Sequence, residues 1–142
     1  MLLFLDFDGV LHPNGLDNEL FCRVALLWKI LRVCPEVNVV FSTSWREMYR
    51  FEEMVGFVTS GGGEDLAPRF VGRIPTFADV GYYPRRDIEI QSWLEANAYS
   101  CQWLAIDDMP ELFNGKHPNL YVVAGDCGLT DVDVLAIIGR IQ

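Results

Sequence analysis

The stretch MLLFLDFDGV at residues 1–10 decides the class of fold. Its segment Leu2–Phe7 is short, mostly apolar and closed by a glycine, which is the pattern of a strand buried on both faces. Further apolar segments follow along the chain and are predicted as strands: Val37–Phe41, Phe70–Val71, Trp103–Ile106 and Leu120–Ala124. Continuously apolar strands that alternate with helices indicate a parallel sheet covered on both faces.

Helical patterns fill the intervals between these strands. The first predicted helix begins at Asp17 or Asn18 and ends before Pro35, with an apolar face formed by Leu20, Val24, Leu27, Trp28 and Leu31. Helices are also predicted over Trp45–Val55, Arg86–Ala98 and Thr130–Ile138, the last opened by a capping box of Thr130 and Asp133. No repeat or long linker divides the chain, so we expect one α/β domain over residues 1–142, a Rossmann-like three-layer parallel sheet.

The composition restricts the class of protein before any motif is considered. The 142 residues are 51% hydrophobic and carry 20 acidic against 11 basic side chains, a formal net charge of −9. So large an apolar fraction excludes intrinsic disorder. The acidic balance argues against a stable coating of nucleic acid, which requires many lysines and arginines to neutralise phosphates.

The N-terminal segment and the cysteines predict a cytoplasmic protein with no membrane contact. The apolar run at residues 1–10 is too short to span a bilayer, is interrupted by Asp6 and Asp8, and lacks the basic start of a signal peptide. The four cysteines include no CxxC pair, so we expect reduced and mostly buried thiols.

Acids and hydroxyls follow three of the predicted strands. Asp6 and Asp8 close the first strand, Ser42-Thr43-Ser44 follow the second, and Asp107-Asp108 follow the third. The carboxyl ends of parallel strands share one edge of the sheet, where ligands bind. Asp6 and Asp8 are two residues apart and are expected on the same side, where their charges repel unless a cation compensates them. Oxygen ligands of this kind predict a Mg²⁺ site.

A Mg²⁺ site with a spare carboxylate is suited to phosphoryl transfer. One Asp can attack phosphorus and form an aspartyl-phosphate, while a second Asp protonates the leaving oxygen and then activates water. A hydroxyl such as that of Thr43 would hold a phosphoryl oxygen, and an Arg would neutralise the charge on the others.

Three stretches of the sequence resemble motifs of the haloacid dehalogenase-like (HAD) phosphohydrolases. LFLDFDGVLHP at Leu3–Pro13 resembles motif I, VVFSTSWR at Val39–Arg46 looks like motif II, and WLAIDDMPELF at Trp103–Phe113 looks like the acidic motif IV. FVGRIP at Phe70–Pro75 and RDIEIQSWL at Arg86–Leu94 are similar to the HAD domain of Swiss Army Knife RNA repair proteins. The resemblance implies a Rossmann-like fold and a Mg²⁺-dependent phosphatase.

The resemblance also implies roles for the acids. Asp6 matches the nucleophile and a Mg²⁺ ligand, and Asp8 matches the general acid/base, whose backbone carbonyl also binds the metal. Asp107 and Asp108 match the motif IV acids, of which at least one is a metal ligand. His12 is a further candidate for the site, with a structural role as the alternative.

The hydroxyl and the cation of the site are implied with alternatives. Thr43 best matches the motif II hydroxyl, and Ser42 or Ser44 takes that place if the register differs. The family's motif III is a Lys or Arg near the start of the helix before motif IV. No Lys lies in that interval, so Arg86 is the first choice and Arg85 the second. Trp45, at the end of a predicted strand, is another candidate for the site.

The spacing of the motifs predicts an open site without a cap domain. The interval from Asp8 to Thr43 holds one predicted helix, and the interval from Thr43 to Arg86 holds a helix and a strand. In this family an open site implies a large phosphorylated substrate, such as a nucleic-acid end or a phosphoprotein. Residues 66–86 carry a local net charge of +3 that would receive further phosphates, from Arg69, Arg73, Arg85 and Arg86 against Asp79.

Two alternatives lie outside the hydrolases. A response-regulator receiver domain is also a small α/β unit with Mg²⁺ and a phosphorylated Asp, but it carries a Lys after its last strand, where this chain has Gly125 and Asp126. A HAD-like domain that binds phosphorylated partners without turnover is the other alternative. Loss of a motif acid would favour it, and all the motif acids are present.

Overall fold

Five strands form one fully parallel sheet in the computed structural model, which describes residues 1–15, 19–77, 85–114 and 116–142. The strands, in chain order, are β1 Leu2–Leu5, β2 Asn38–Phe41, β3 Phe70–Arg73, β4 Trp103–Asp107 and β5 Leu120–Val122. Their order across the sheet is β3-β2-β1-β4-β5. The predicted strands are therefore present, and the most apolar of them, β1, occupies the centre.

Helices cover both faces of the sheet, which confirms the three-layer α/β prediction. The helices are α1 Val24–Val33, α2 Phe51–Thr59, α3 Arg86–Ala96 and α4 Asp131–Ile141. One core contains side chains of α1, α2 and α4 packed on one face of the sheet, and a second core contains α3 packed on the other face. Short 3₁₀ turns complete the described chain at Ser44–Glu47, Glu64–Arg69 and Pro110–Phe113.

The sheet register places the ends of three strands side by side. Leu5 is aligned with Phe41 of β2 and with Ile106 of β4. The ladder continues beyond β1, because the Ser42 N–H donates to the Leu5 carbonyl at 2.9 Å and the Asp6 N–H donates to the Ile106 carbonyl at 3.2 Å. The chain leaves β1 for β2 on one side and places β4 on the other, so the strand order reverses between β1 and β4. Ligands of doubly wound sheets bind at such a reversal.

The strand order also separates this fold from a receiver domain. The order observed here is the Rossmann order, in which β1 lies between β2 and β4, whereas receiver domains have β1 between β2 and β3. The receiver-like alternative therefore fails on topology.

The helix predicted over Trp45–Val55 is wrong, because two elements replace it. A 3₁₀ turn covers Ser44–Glu47, and α2 begins only at Phe51 after an extended Arg50. The Arg73 side chain donates to the carbonyls of Arg46 and Tyr49, at 3.1 and 3.2 Å. Those carbonyls are thus satisfied by a side chain from β3, and the chain turns at this point instead of continuing as one helix.

The first helix also begins later than its apolar pattern predicts. It starts at Val24, Leu20 lies outside it and is 59% exposed, and Phe21 has a φ of +60° that is incompatible with a helix. The predicted N-caps Asp17 and Asn18 lie outside the described residues. The last helix agrees better, since Thr130 and Asp133 form the predicted capping box.

Two further expectations are answered by the described residues. All four cysteines are unpaired, but Cys34 alone is buried, so the prediction of mostly buried thiols is wrong. Within the described ranges, no helix has the length and apolar character needed to cross a bilayer.

Candidate active site

Three carboxylates meet at the carboxyl edge of the sheet. Asp6 follows β1, Asp107 ends β4 and Asp108 comes next, and one oxygen from each lies within 4.8 Å of the others. Asp6 and Asp107 are buried, and Asp108 is partly exposed. The sequence prediction that the ends of these two strands meet is thus confirmed.

Two glycines and an amide shape the space around Asp108. A Cβ on Gly9, which has a φ of +75°, or on Gly125 would overlap the Asp108 carboxylate. The Asn14 side chain donates to Asp108 Oδ2 at 2.8 Å, and its backbone N–H donates to the Gly125 carbonyl, also at 2.8 Å. The loop after β1 therefore binds this carboxylate through Asn14. The loop after β5 leaves space for it at Gly125 and accepts the Asn14 backbone N–H.

The electrostatics of the three carboxylates favour a bound cation. Burial raises the pKa of Asp6 well above its usual 3.8, and the charge of Asp107 raises it further. Burial also raises the pKa of Asp107, to about 6. The neighbouring Arg86 lowers both pKa values but does not offset the burial and the mutual repulsion.

The donor set fits a divalent cation that prefers oxygen. All three side chains offer carboxylate oxygens, and the buried Oδ2 of Asp107 has no hydrogen-bond partner in the described part of the chain. A buried acceptor without a donor is costly, and a bound cation would satisfy it. Asp6, Asp107 and Asp108 are therefore the residues that could hold Mg²⁺ through their side chains.

The Asp8 side chain lies outside this metal-competent group. Its carboxylate is 53% exposed and is bound by His12 Nε2 at 2.8 Å and by Trp45 Nε1 at 3.0 Å. Asp6 and Asp8 therefore do not share one carboxylate cluster as the spacing predicts, because a turn begins at Phe7, whose carbonyl accepts the N–H groups of Val10 and Leu11. The resemblance gives Asp8 only a backbone contact to metal, and that contact stays a prediction.

The three hydroxyl residues after β2 differ in their surroundings. Ser42 continues the register next to Asp6, and its buried Oγ has no hydrogen-bond partner among the described residues. Thr43 is also buried, but its Oγ1 accepts a bond from the Trp45 N–H at 3.3 Å and so caps the 3₁₀ turn. Ser44 is exposed. The structure thus brings Ser42 closest in register to the acids.

Of the two candidate cations, Arg86 lies at the acids. Its Nε is 3.9 Å from Asp107 Oδ2 and has no hydrogen-bond partner in the described chain, and the residue is buried. The Arg85 guanidinium is instead partly exposed and is bound twice by Asp87, at 3.0 and 2.8 Å. Arg85 therefore does not reach the cluster.

Sequence reasoning missed a buried ion pair behind these groups. Arg46 Nη2 contacts Glu89 Oε2 at 2.9 Å, and Glu89 Oε1 lies 3.7 Å from Arg86 Nη1. Arg46 also donates to the carbonyls of Ser42 and Thr43, at 3.1 and 2.8 Å. The two residues thereby connect the motif II loop to the helix that carries Arg86. The three-residue spacing of Arg86 and Glu89 on the predicted helix is a local signal that Glu89 faces a cation, but it does not indicate Arg46.

The arginines predicted to form a positive patch serve separate places in the fold. Arg69 donates to three carbonyls at the end of α1 and the start of β2, and Arg73 donates to the loop before α2. Arg86 is buried beside Asp107, and Asp79 lies outside the described residues. Among the described residues of this segment, Arg69, Arg73 and Arg86 thus bind different parts of the fold, and Arg86 is buried.

The fold and the acid cluster together define a Rossmann-like α/β domain of the HAD type. The chain belongs to the family described as the HAD domain in Swiss Army Knife RNA repair proteins, whose model matches residues 2–134. Comparisons with curated proteins and with solved structures found no match. Membership of this family indicates a hydrolase of the phosphatase type.

Proposed function

We propose that the protein is a Mg²⁺-dependent phosphatase that acts through an aspartyl-phosphate on Asp6. The observation that carries the proposal is the position of Asp6, buried at the sheet edge between Asp107 on one side and Ser42 on the other, with Arg86 beside them. This arrangement offers a nucleophile, a cation site and two phosphate contacts in one place.

In the first step, an Asp6 oxygen attacks phosphorus and the bond to the leaving oxygen breaks. Asp8, bound by His12 and Trp45, transfers its proton to that oxygen, so the leaving group departs as an alcohol. In the second step, Asp8 takes a proton from water while the water oxygen attacks phosphorus. The bond to Asp6 then breaks and inorganic phosphate leaves.

The remaining groups neutralise the phosphoryl charge. Asp6, Asp107, Asp108 and the Asp8 carbonyl would hold Mg²⁺, which supplies positive charge against the phosphoryl oxygens when bound. The Arg86 Nε and the Ser42 hydroxyl are both buried, and neither has a hydrogen-bond partner within the described chain. We propose Ser42, in preference to Thr43, as the hydroxyl that donates to a phosphoryl oxygen.

The substrate that we propose is the phosphorylated end of a nucleic acid. The described residues between Asp8 and Arg86 hold only elements of the sheet and its covering layers, so nothing described encloses a small substrate. The family description names RNA repair proteins, which supports a nucleic-acid end over a phosphoprotein.

The nucleophile is tested by phosphate release from an aryl phosphate with and without Mg²⁺. We expect Mg²⁺-dependent turnover in the wild type and a loss of at least about a thousandfold in Asp6→Asn, because the amide cannot attack phosphorus. Asp131→Asn, which changes an exposed acid on α4, is the matched control and is expected to retain activity. After acid quenching, mass spectrometry should find phosphate on the peptide that contains Asp6. Activity that survives in Asp6→Asn would overturn the assignment.

The substrate class is tested with a panel of esters. The panel contains 3′- and 5′-phosphorylated oligonucleotides, mononucleotides and phosphopeptides, each assayed for kcat/KM. We expect oligonucleotide ends to exceed the other classes by at least about tenfold. A preference for phosphopeptides would replace nucleic acid as the proposed substrate and leave the chemistry unchanged.

A further inference from the structure

The Asp8 carboxylate is held by two donors from different parts of the chain. His12 Nε2 lies 2.8 Å from Oδ1, and the Trp45 indole N–H donates to Oδ2 at 3.0 Å. His12 is only 3% exposed, whereas half of the Asp8 side chain remains open to solvent. The carboxylate is therefore anchored from its buried side and accessible from the other.

The hydrogen bond at His12 Nδ1 determines which of the two ring nitrogens carries the proton. The backbone N–H of Phe21 donates to His12 Nδ1 at 3.2 Å. Since a backbone N–H can only donate, Nδ1 accepts, and the ring proton lies on Nε2. Nε2 is thus the donor toward Asp8, and the chain of bonds runs from Phe21 through His12 to Asp8.

The position of the Phe21 amide depends on an unusual backbone conformation. Phe21 has a φ of +60°, which bulky side chains rarely adopt. Its ring packs edge-on against His12 and Trp45, with centroid distances of 5.3 and 5.4 Å. Strained residues of this kind persist where the surrounding structure holds them, and they concentrate at functional sites. Here the packing keeps the amide directed at His12.

We propose that His12 and Trp45 are positioning residues that orient the Asp8 carboxyl for proton transfer; the inference rests on the proposed phosphatase function. Each Asp8 oxygen accepts one bond from these donors and keeps a further lone pair. That lone pair can carry the proton for the leaving oxygen. After transfer, Asp8 is a carboxylate, and the same two N–H donors keep it in one orientation for the water step.

The proposal predicts an effect that depends on the leaving group. An alkyl phosphate has a poor leaving group and requires protonation of its oxygen, whereas a nitrophenyl phosphate departs without it. Loss of Asp8 orientation should therefore lower kcat/KM, which reports the first step, for the alkyl ester by about ten- to a hundredfold, at and below the lower end of the range for general acid catalysis. The kcat/KM for the nitrophenyl ester should fall by less than about threefold, because this ratio does not include the later water step, in which Asp8 acts on every ester.

Three variants and one control separate positioning from a merely structural role. His12→Leu removes the donor and fills the space, His12→Gln retains an N–H at a similar reach, and Trp45→Phe removes the second donor but keeps a ring. Phe57→Leu is the control, because Phe57 packs on Trp45 and Phe21 at about 6 Å and its side chain has no donor for Asp8. Thermal unfolding of each variant is measured in parallel.

The expected result is a leaving-group-dependent loss in His12→Leu and Trp45→Phe, recovery in His12→Gln, and equal behaviour of both esters in Phe57→Leu. If His12→Leu does not fold, Trp45→Phe decides the outcome. Equal losses on both esters in the variants, or losses that Phe57→Leu reproduces, would overturn the inference alone. A wild type that releases phosphate from neither ester and from none of the phosphorylated oligonucleotides would overturn the proposed function and this inference with it.

Discussion

Ser42 and Thr43 are adjacent hydroxyl residues at the end of β2 with different tasks in the fold. Ser42 lies in register with Asp6 and its Oγ has no partner in the described chain, whereas the Thr43 Oγ1 accepts the Trp45 N–H. The two hydroxyl groups look equivalent in the sequence, but in the fold the Ser42 hydroxyl is available to a ligand and the Thr43 hydroxyl caps a turn. The difference between the two hydroxyls comes from a shift of one residue along the chain.

This difference gives a prediction for two conservative substitutions. Ser42→Ala should lower kcat/KM by about ten- to a hundredfold, since one donor to the phosphoryl group is lost. Thr43→Val should change kcat/KM by less than about threefold and lower the free energy of unfolding by roughly 1 kcal/mol through the lost cap. Kinetics with an aryl phosphate and chemical denaturation check both. A larger kinetic loss in Thr43→Val than in Ser42→Ala would return the assignment to Thr43.

At the scale of elements, the loop after β2 depends on one buried side chain. Arg46 binds the carbonyls of Ser42 and Thr43 and pairs with Glu89 of α3, a residue 43 positions further along the chain. Both side chains of the pair are at most 3% exposed. The motif II loop and the helix of Arg86 are therefore fixed to each other by a contact that solvent does not screen.

Breaking this pair should be costly and should show strong coupling. Arg46→Met leaves Glu89 buried without its main partner, so the free energy of unfolding should fall by about 3–5 kcal/mol. Adding Glu89→Gln should recover part of this loss, because the uncompensated charge is removed. Urea unfolding of the single and double variants measures the coupling.

The exposed pair of Arg50 and Glu53 supplies the control for that cycle. Arg50→Met should leave the unfolding midpoint nearly unchanged, since exposed ion pairs contribute little. Additive effects of Arg46→Met and Glu89→Gln would contradict the proposed link between the loop and the helix.

At the scale of the whole molecule, the acid cluster opposes folding when no cation is bound. The pKa of Asp107 rises from 3.8 to about 6 in the folded protein. An acid whose pKa is raised by folding stabilises the folded state below its unfolded pKa, and this contribution disappears as the pH rises through the folded pKa. The difference corresponds to roughly 3 kcal/mol at most.

The metal-free protein should therefore lose stability between about pH 4 and pH 7 through this residue. Asp107→Asn should remove that part of the pH dependence and be more stable than the metal-free wild type at neutral pH. Mg²⁺ should stabilise the wild type at neutral pH and have little effect on the variant. Thermal unfolding in a chelator and in Mg²⁺, across this pH range, checks the prediction. A wild type without this excess pH dependence would contradict it.

The sequence predicts the fold where the signal is local. Most of the strands are visible as continuous apolar runs, although β3 shows only Phe70–Val71 as apolar, and the meeting of Asp6 with Asp107 follows from parallel topology. Contacts between distant segments are not visible in this way. Arg46 and Glu89 lie far apart in the chain. Arg73 donates hydrogen bonds to two carbonyls of the segment predicted as one helix, and this segment is divided into a 3₁₀ turn and α2. The donor role of His12 likewise depends on the backbone angle of Phe21.

The central place of β1 has a consequence for biosynthesis. Leu5 is paired with Phe41 on one side and with Ile106 on the other, so β1 is synthesised before both of its neighbours and pairs with β4 last. Until β4 is made, the nascent chain has one unpaired edge on its most apolar strand, which is a site for association with other chains. Asp6 also has no Asp107 beside it during this period, so the acids come together only after most of the domain has been translated.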